Sequence, residues 1–145
     1  MYQNILLPVD IAHIGKTPAM IELAQNLADN NARITLLTVI EDVPGWVTVS
    51  LPENILENSR RFAEEKLNEI AQQAEKPELI VDVRSGHAYQ TILEVAEHNA
   101  IDLIILDSHR PDLGNYLLGS TASRVVRHAN CSVLVKRQPY QPRHN

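Results

Sequence analysis

Three short stretches carry residue types that can do chemistry. The first is Gly119–Ser120–Thr121–Ala122–Ser123. A glycine followed by small hydroxyl residues at a helix start leaves backbone N–H groups without intrahelical partners, and the helix dipole adds partial positive charge there. Gly119 lets an anion approach the backbone, and Ser120, Thr121 and Ser123 each offer a hydroxyl. The stretch reads as a phosphate site or, with equal weight on spacing alone, as an ordinary Ser/Thr helix cap. The second is Asp10, at the end of the apolar run QNILLPV. Its carboxylate suits a ribose hydroxyl or Mg²⁺, directly or through water, and suits local capping of a turn equally well. The third is Asp107–Ser108–His109–Arg110, a mixture of donors and acceptors after the apolar run DLIILD. No nucleophile stands beside His109, so a structural or phosphate-contacting histidine fits better than a general base. Arg110 suits phosphate charge, although a lone loop arginine is more often simply solvated.

Signatures of dedicated catalysis are missing. The chain has no G-x-x-x-x-G-K-[ST] phosphate loop, no G-x-G-x-x-G after the first apolar run and no G-x-S-x-G elbow. Its six histidines show no metal-ligand spacing. The single cysteine, Cys131, opens an apolar run and reads as a buried, inert thiol. No catalytic residue is expected.

Those stretches need elements to hold them. Residues 3–9, 33–40, 78–84, 102–107 and 131–136 are short, nearly continuous apolar runs of the kind found in buried strands. Residues 11–16 read as a loop, and Thr17 as the N-cap of a helix with Pro18 at its first position. Met20, Leu23, Ala24, Leu27 and Ala28 give that helix one apolar face, and Asp29–Asn30–Asn31 ends it. Ser50 and Glu53 have capping-box spacing before a helix over 53–74. Ile55, Phe62, Leu67, Ile70 and Ala74 mark its buried side. Ala88, Ile92, Val95 and Ala96 face inward on a helix over 88–98. Ala122, Val125, Val126 and Ala129 do so on a last one. Trp46 falls in the first long loop, where packing is a better reading than covering a ligand.

Strictly alternating strands and helices imply an α/β fold, a parallel sheet with helices on both faces and right-handed crossovers. In such sheets ligands bind beyond the carboxyl ends of the strands, where the strand order reverses. Asp10, Asp107 to Arg110 and Gly119 to Ser123 would share one crevice if the first and fourth strands are neighbours.

The 145 residues fit one domain, with 44% hydrophobic but only 4% aromatic residues, so aliphatic side chains make the core. The net charge of -5 disfavours a nucleic-acid partner, because Arg124, Arg127 and His128 read as a solvated helix face. The start MYQNILLPVD is not a signal peptide, no apolar run reaches membrane-spanning length, and one cysteine fits a reducing compartment. The expected location is cytoplasmic, with no membrane partner. The tail QPYQPRHN, residues 138–145, is expected to be flexible.

The runs ILLPVD and LLTVI, and above all DSHRPDLGNYLLGSTASRVVRHANCSVLVKR, resemble the universal stress protein family. Within it they are similar to the short single-domain branch known as types F and G in enteric bacteria. The resemblance covers residues 2–137, and so implies one domain over 1–137. It implies a three-layer α/β/α fold of the Rossmann-like, adenine nucleotide alpha hydrolase type, with five strands ordered 3-2-1-4-5. It further implies ATP or AMP at the switch point, with Mg²⁺ accompanying ATP, and a role in stress response. Pro8, Val9 and Asp10 would line the nucleotide, and Val39 would meet the adenine with its backbone. Leu106 and Asp107 would lie near adenine and ribose, and Gly119, Ser120 and Thr121 would hold phosphate. A homodimer through strand 131–136 is implied, and an unidentified protein partner would meet loops 41–52 and 108–118. ATP-binding members carry G-x-x-G after the fourth strand. Here Asp107 stands at the first glycine and Arg110 at or near the second.

Overall fold

The computed structural model describes residues 1–41, 55–73, 78–108 and 119–137. In chain order the strands are β1 (Tyr2–Pro8), β2 (Ala28–Glu41), β3 (Glu78–Gly86), β4 (Leu103–Asp107) and β5 (Ser132–Lys136). The helices are α1 (Thr17–Leu27), α2 (Ile55–Gln72), α3 (Ala88–His98) and α4 (Ser120–His128), and a 3-10 turn over Ile11–Lys16 precedes α1. All strands pair in parallel, in the order β3-β2-β1-β4-β5.

The central strands are apolar on both faces, as a sheet covered on both sides requires. Side chains alternate along each strand, so neighbouring residues serve different cores. Ile5, Leu7, Ile34, Leu36, Leu103 and Ile105 pack with α1 and α2 through Met20, Ile21, Ala24, Ala63 and Leu67. Leu6, Leu37, Ile104 and Leu106 pack on the other face with α3 and α4, through Ile92, Val95, Ala122 and Val125. The helix pairs separate because the chain first builds outward from β1 to β3, then crosses over to β4 and builds the other way. Right-handed crossovers in opposite directions put their helices on opposite faces.

Several expectations are corrected by the fold. The stretch 11–16 is a 3-10 turn that runs straight into α1, so Thr17 is not a cap. Thr17 is the buried first residue of the helix, its N–H donates to the Ile14 carbonyl, and Lys16 precedes it without a side-chain cap. Asp29–Asn30–Asn31 lies within β2, because Tyr2 pairs with Ala28 and the strand continues through a register irregularity to Asn4↔Arg33. On α2 the buried series is Ala63, Leu67 and the half-buried Ile70, at helical spacing. Phe62 sits about 100° round the helix from Ala63 and is 52% exposed. On α4, Val126 is 46% exposed for the same reason, since Ala122 and Val125 take the core. The capping box Ser50/Glu53, Trp46, Ala74 and the tail lie outside the described residues.

The start of β1 is held from a distance. The Asp102 carboxylate accepts the N–H of Gln3 at 2.8 Å and of Asn4 at 2.9 Å, and the Asp102 N–H donates to the Asn4 carbonyl at 2.9 Å. These bonds align the entry of β4 with that of β1. Charge-assisted bonds of this kind each contribute about 1.5–3 kcal/mol when partly shielded. Asp102→Ala is therefore expected to lower stability by about 2 kcal/mol. The readout is the urea midpoint at unchanged slope. A midpoint that does not move would mean that water replaces the carboxylate without loss.

Candidate functional site at the carboxyl ends of the strands

The order β3-β2-β1-β4-β5 makes β1 and β4 neighbours, with Ile5↔Leu103 and Leu6↔Ile104 in register. Chain direction reverses its build at this pair. The α1 connection leaves β1 on one face and the α4 connection leaves β4 on the other, so no crossover covers the gap between them. An open cleft of about 880 Å³ lies there. That volume accommodates a ligand of nucleotide size.

The floor of the cleft is the last turn of each inner strand. Pro8 and Val9 come from β1 and its exit, Leu37, Thr38, Val39, Ile40 and Glu41 from β2, and Leu106 and Asp107 from β4. Two bonds fix the floor. The Val9 N–H donates to the Leu37 carbonyl at 2.7 Å, and the buried Thr38 hydroxyl donates to the Val9 carbonyl at 3.0 Å. The walls are Asn58, Ser59, Phe62 and Ala63 of α2 on one side, with Ala88 and Ile92 of α3 and Thr121 and Ala122 of α4 on the other.

Seven of the expected residues thus meet: Pro8, Val9, Asp10, Val39, Leu106, Asp107 and Thr121 all line the cleft. Gly119 occupies the N-cap of α4 in extended backbone, with no side chain capping the helix. The glycine position, not a serine or threonine, therefore fills the cap. The Ser123 N–H donates to the Gly119 carbonyl at 2.9 Å, and the helix then runs on from there. Ser120 and Ser123 are exposed, and neither is among the lining residues. Ser108 donates its N–H to the Lys136 carbonyl at 3.0 Å, which prolongs β4 against β5, and it is not among the residues lining the cleft. His109 and Arg110 lie outside the described residues.

Asp10 performs its local role. One carboxylate oxygen accepts the Ala12 N–H at 3.0 Å and the other meets His13 Nδ1 at 3.0 Å, which caps the 3-10 turn. Asp10 still reaches the cleft, and with His13, Lys16 and Asp107 it also lines a small adjoining hollow of about 20 Å³. Asp10, Glu41 and Asp107 make the rim acidic on this side. Thr121, in the first turn of α4, lines the same cleft, and a helix N-terminus carries partial positive charge. Among the described residues, no group of three or more His, Cys, Asp or Glu side chains is placed to hold a metal ion. Cys131 packs against the α3/α4 core, and burial raises its thiol pKa, with the Asp102 charge adding to the rise. A raised pKa keeps the thiolate fraction low, as expected for an inert thiol.

Asn58, Ser59 and Phe62 went unrecognised as wall residues. Their spacing does put them on one flank of α2. What hides them is that a helix flank becomes a wall only through the strands and helices that face it, which lie far away in the chain.

Fold and cleft together define the class: a doubly wound parallel α/β protein with an uncovered crevice at its switch point. The model of the universal stress protein family matches residues 1–137, and the chain belongs to that family. It is 33% identical to universal stress protein G of Escherichia coli O157:H7, over 94% of this chain and 100% of that one. Among solved structures it resembles a universal stress protein in complex with cAMP, at TM-score 0.64 and 21% identity over 94% of this chain and 97% of that one. It also resembles an Arabidopsis thaliana family member with AMP bound, at TM-score 0.59 and 16% identity over 94% and 92% of the two chains. Among the described residues no helix is long and apolar enough to cross a membrane.

Proposed function

We propose that this chain is a regulatory module of the stress response that binds an adenine nucleotide in the switch-point cleft. The observation that carries the reading is the cleft itself, which brings Val9, Val39 and Leu106 together with the first turn of α4. The aliphatic floor suits the faces of a purine, and the backbone at Val39 suits its edge. Asp107 suits a ribose hydroxyl, since a carboxylate accepts from hydroxyls and repels phosphate. The phosphates then belong at Gly119, Ser120 and Thr121, away from the carboxylates. Ser108, His109, Arg110 and Ser123 are proposed as outer phosphate contacts. Family structures holding cAMP and AMP support an adenine nucleotide as the ligand class.

Asp10 is a poor sole ligand for Mg²⁺, because both its oxygens already serve the 3-10 turn. A Mg²⁺ arriving with ATP would be held chiefly by phosphate oxygens and water, with Asp10 as an outer contact. Hydrolysis needs a positioned water and stabilised phosphoryl charge, and no described residue forms a dedicated base. The expected activity is binding, with turnover slow or absent. The family resemblance supports a homodimer through β5, an edge strand paired only with β4 among the described residues. The single unpaired cysteine is compatible with a reducing, cytoplasmic setting.

The test is mass spectrometry of small molecules released by denaturing freshly purified protein. Stoichiometric ATP, ADP or AMP is expected. An empty protein that also fails to bind added ATP with Mg²⁺ in calorimetry would overturn the reading. It would favour instead a nucleotide-free interaction protein, in which Asp107 and Arg110 have closed the phosphate path.

A further inference from the structure

The flank of α2 beside its core-facing residues is not uniformly polar. Ala63, Leu67 and the half-buried Ile70 meet the sheet, yet Phe62, the one phenylalanine of the chain, is 52% exposed. A phenylalanine left half in water forgoes much of the stabilisation that burial would give. Single apolar side chains on an open surface are ordinary. Phe62 differs by its place, because it stands in the wall of the switch-point cleft, which Val9, Val39 and Leu106 also line. Among the described residues, it is the only aromatic side chain in that lining.

Its neighbours limit what can pack on it. On the same flank of α2, Asn58 and Ser59 lie one turn earlier, and both are exposed and polar. One turn later, the Lys66 ammonium sits over the ring at 5.6 Å from its centroid and within 3.9 Å of Glu69. Lys66 is not a lining residue, whereas Phe62 is. The cation steadies an exposed ring, so less side-chain freedom is lost when a ligand packs on it. The apolar surface on this flank is thus a single ring bounded by polar groups. It matches a planar aromatic ligand and is far too small for a protein interface. Moreover, α2 packs on β2 and β3, at the opposite end of the sheet from β5, so the homodimer proposed through β5 does not need this wall.

We propose that Phe62 is the base-packing residue of the cleft, the side chain that sets its affinity for ligands with an aromatic base. This inference rests on the nucleotide reading of the same cleft. The strand ends meet the base on one side, and Phe62 packs on it from α2. Aromatic pairs gain more than the area they bury, in offset-stacked or edge-on arrangements, so an aliphatic side chain of similar size is no substitute. Packing of this kind acts on the ring and not on the phosphates, because every base has a π face. Phe62 therefore contributes equally to a nucleoside and to its phosphates.

The test is calorimetric titration of the full chain with AMP and with adenosine. Phe62→Ala and Phe62→Leu are each expected to bind AMP about tenfold more weakly, whereas Phe62→Tyr, which keeps the ring, stays within about twofold of the wild type. The base is common to both ligands, so Phe62→Leu should weaken adenosine by the same factor as AMP. Because Phe62 is half-exposed, the urea midpoint of each variant should match that of the wild type. A Phe62→Leu chain that binds AMP like the wild type would overturn the proposal, by showing that the position needs only apolar bulk. So would a loss confined to AMP, which would set Phe62 beside the phosphate. A wild-type chain that binds neither ligand would sink the nucleotide reading itself and this inference with it. A wild-type chain that binds both, with all variants binding equally well, would sink only the role of Phe62.

Discussion

Gly119→Glu should leave the fold intact and weaken ATP binding by roughly 100-fold. A Cβ at this position meets no atom of the described residues within 4 Å, so the first carbon of a side chain fits without strain. The backbone there is extended, with φ -60 and ψ 158, which any residue adopts. A carboxylate at the N-terminus of α4 also interacts favourably with the helix dipole, so stability should hold or rise slightly. The same carboxylate would occupy the place where phosphate charge is proposed to sit. Two like charges about 4 Å apart repel by several kcal/mol at an intermediate dielectric, and screening reduces that to about 2–3 kcal/mol. Calorimetric titration with ATP and Mg²⁺, paired with a urea unfolding curve, separates the two effects. Unchanged affinity in a folded variant would move the phosphates away from α4 and leave only the cleft floor in the assignment. Lost affinity with lost stability would leave the site untested by this variant, and Gly119→Ser, which adds no charge, should then bind nearly normally.

Leu6→Ala is expected to destabilise the protein by about 2–5 kcal/mol. Leu6 is fully buried at the middle of the central strand, beneath α3 and α4, where it packs with Ile104 and the rest of that core. Removing its side chain loses the transfer free energy of the buried carbons and leaves a cavity. The neighbours cannot collapse into it, because β1 is pinned by β2 on one side and β4 on the other. Domains of this size are stable by only about 5–15 kcal/mol, so the loss is a large share of the total. Equilibrium urea unfolding measures it. A loss below about 1 kcal/mol would mean that the two faces of the sheet repack far more freely than their burial implies.

The two effects differ in kind because the site and the core use different parts of the same strands. The core uses the middle of β1, β2 and β4, where the buried residues are aliphatic except for Thr35 of β2. The site uses residues near their carboxyl ends, Pro8, Val39 and Asp107, between walls supplied by α2, α3 and α4. Asp10 joins the two roles. It caps the 3-10 turn that sets the angle of α1, and it stands at the mouth of the cleft. Substitution there would change both, so it is a weaker probe of binding than Gly119.

The five strands and four helices were legible in the sequence because their signals are local. Runs such as RITLLTVI can bury both faces only in a covered parallel sheet, and Met20, Ala24 and Leu27 repeat at the period of one helix. The family resemblance supplied the strand order. Periodicity could not do so, since nothing near Ile5 in the chain refers to Leu103, its partner across the sheet. Boundaries failed where tertiary contacts overrode local preference. Asp29–Asn30–Asn31 has turn-forming composition, yet pairing with β1 draws this end of the chain into β2. Phe62 has core-forming composition, yet it is half-exposed and lines the cleft, because Ala63 and Leu67 take the core-facing positions of α2. The sequence by itself therefore determined which segments are apolar and with what period, and where acidic residues are absent. Only the tertiary structure decided which strand ends meet, which helix flanks become walls, and that β5 is an edge strand of the sheet. The reason is range. Backbone preference and side-chain period act over a few residues, whereas a cleft and a charged edge are made by contacts between residues far apart in the chain.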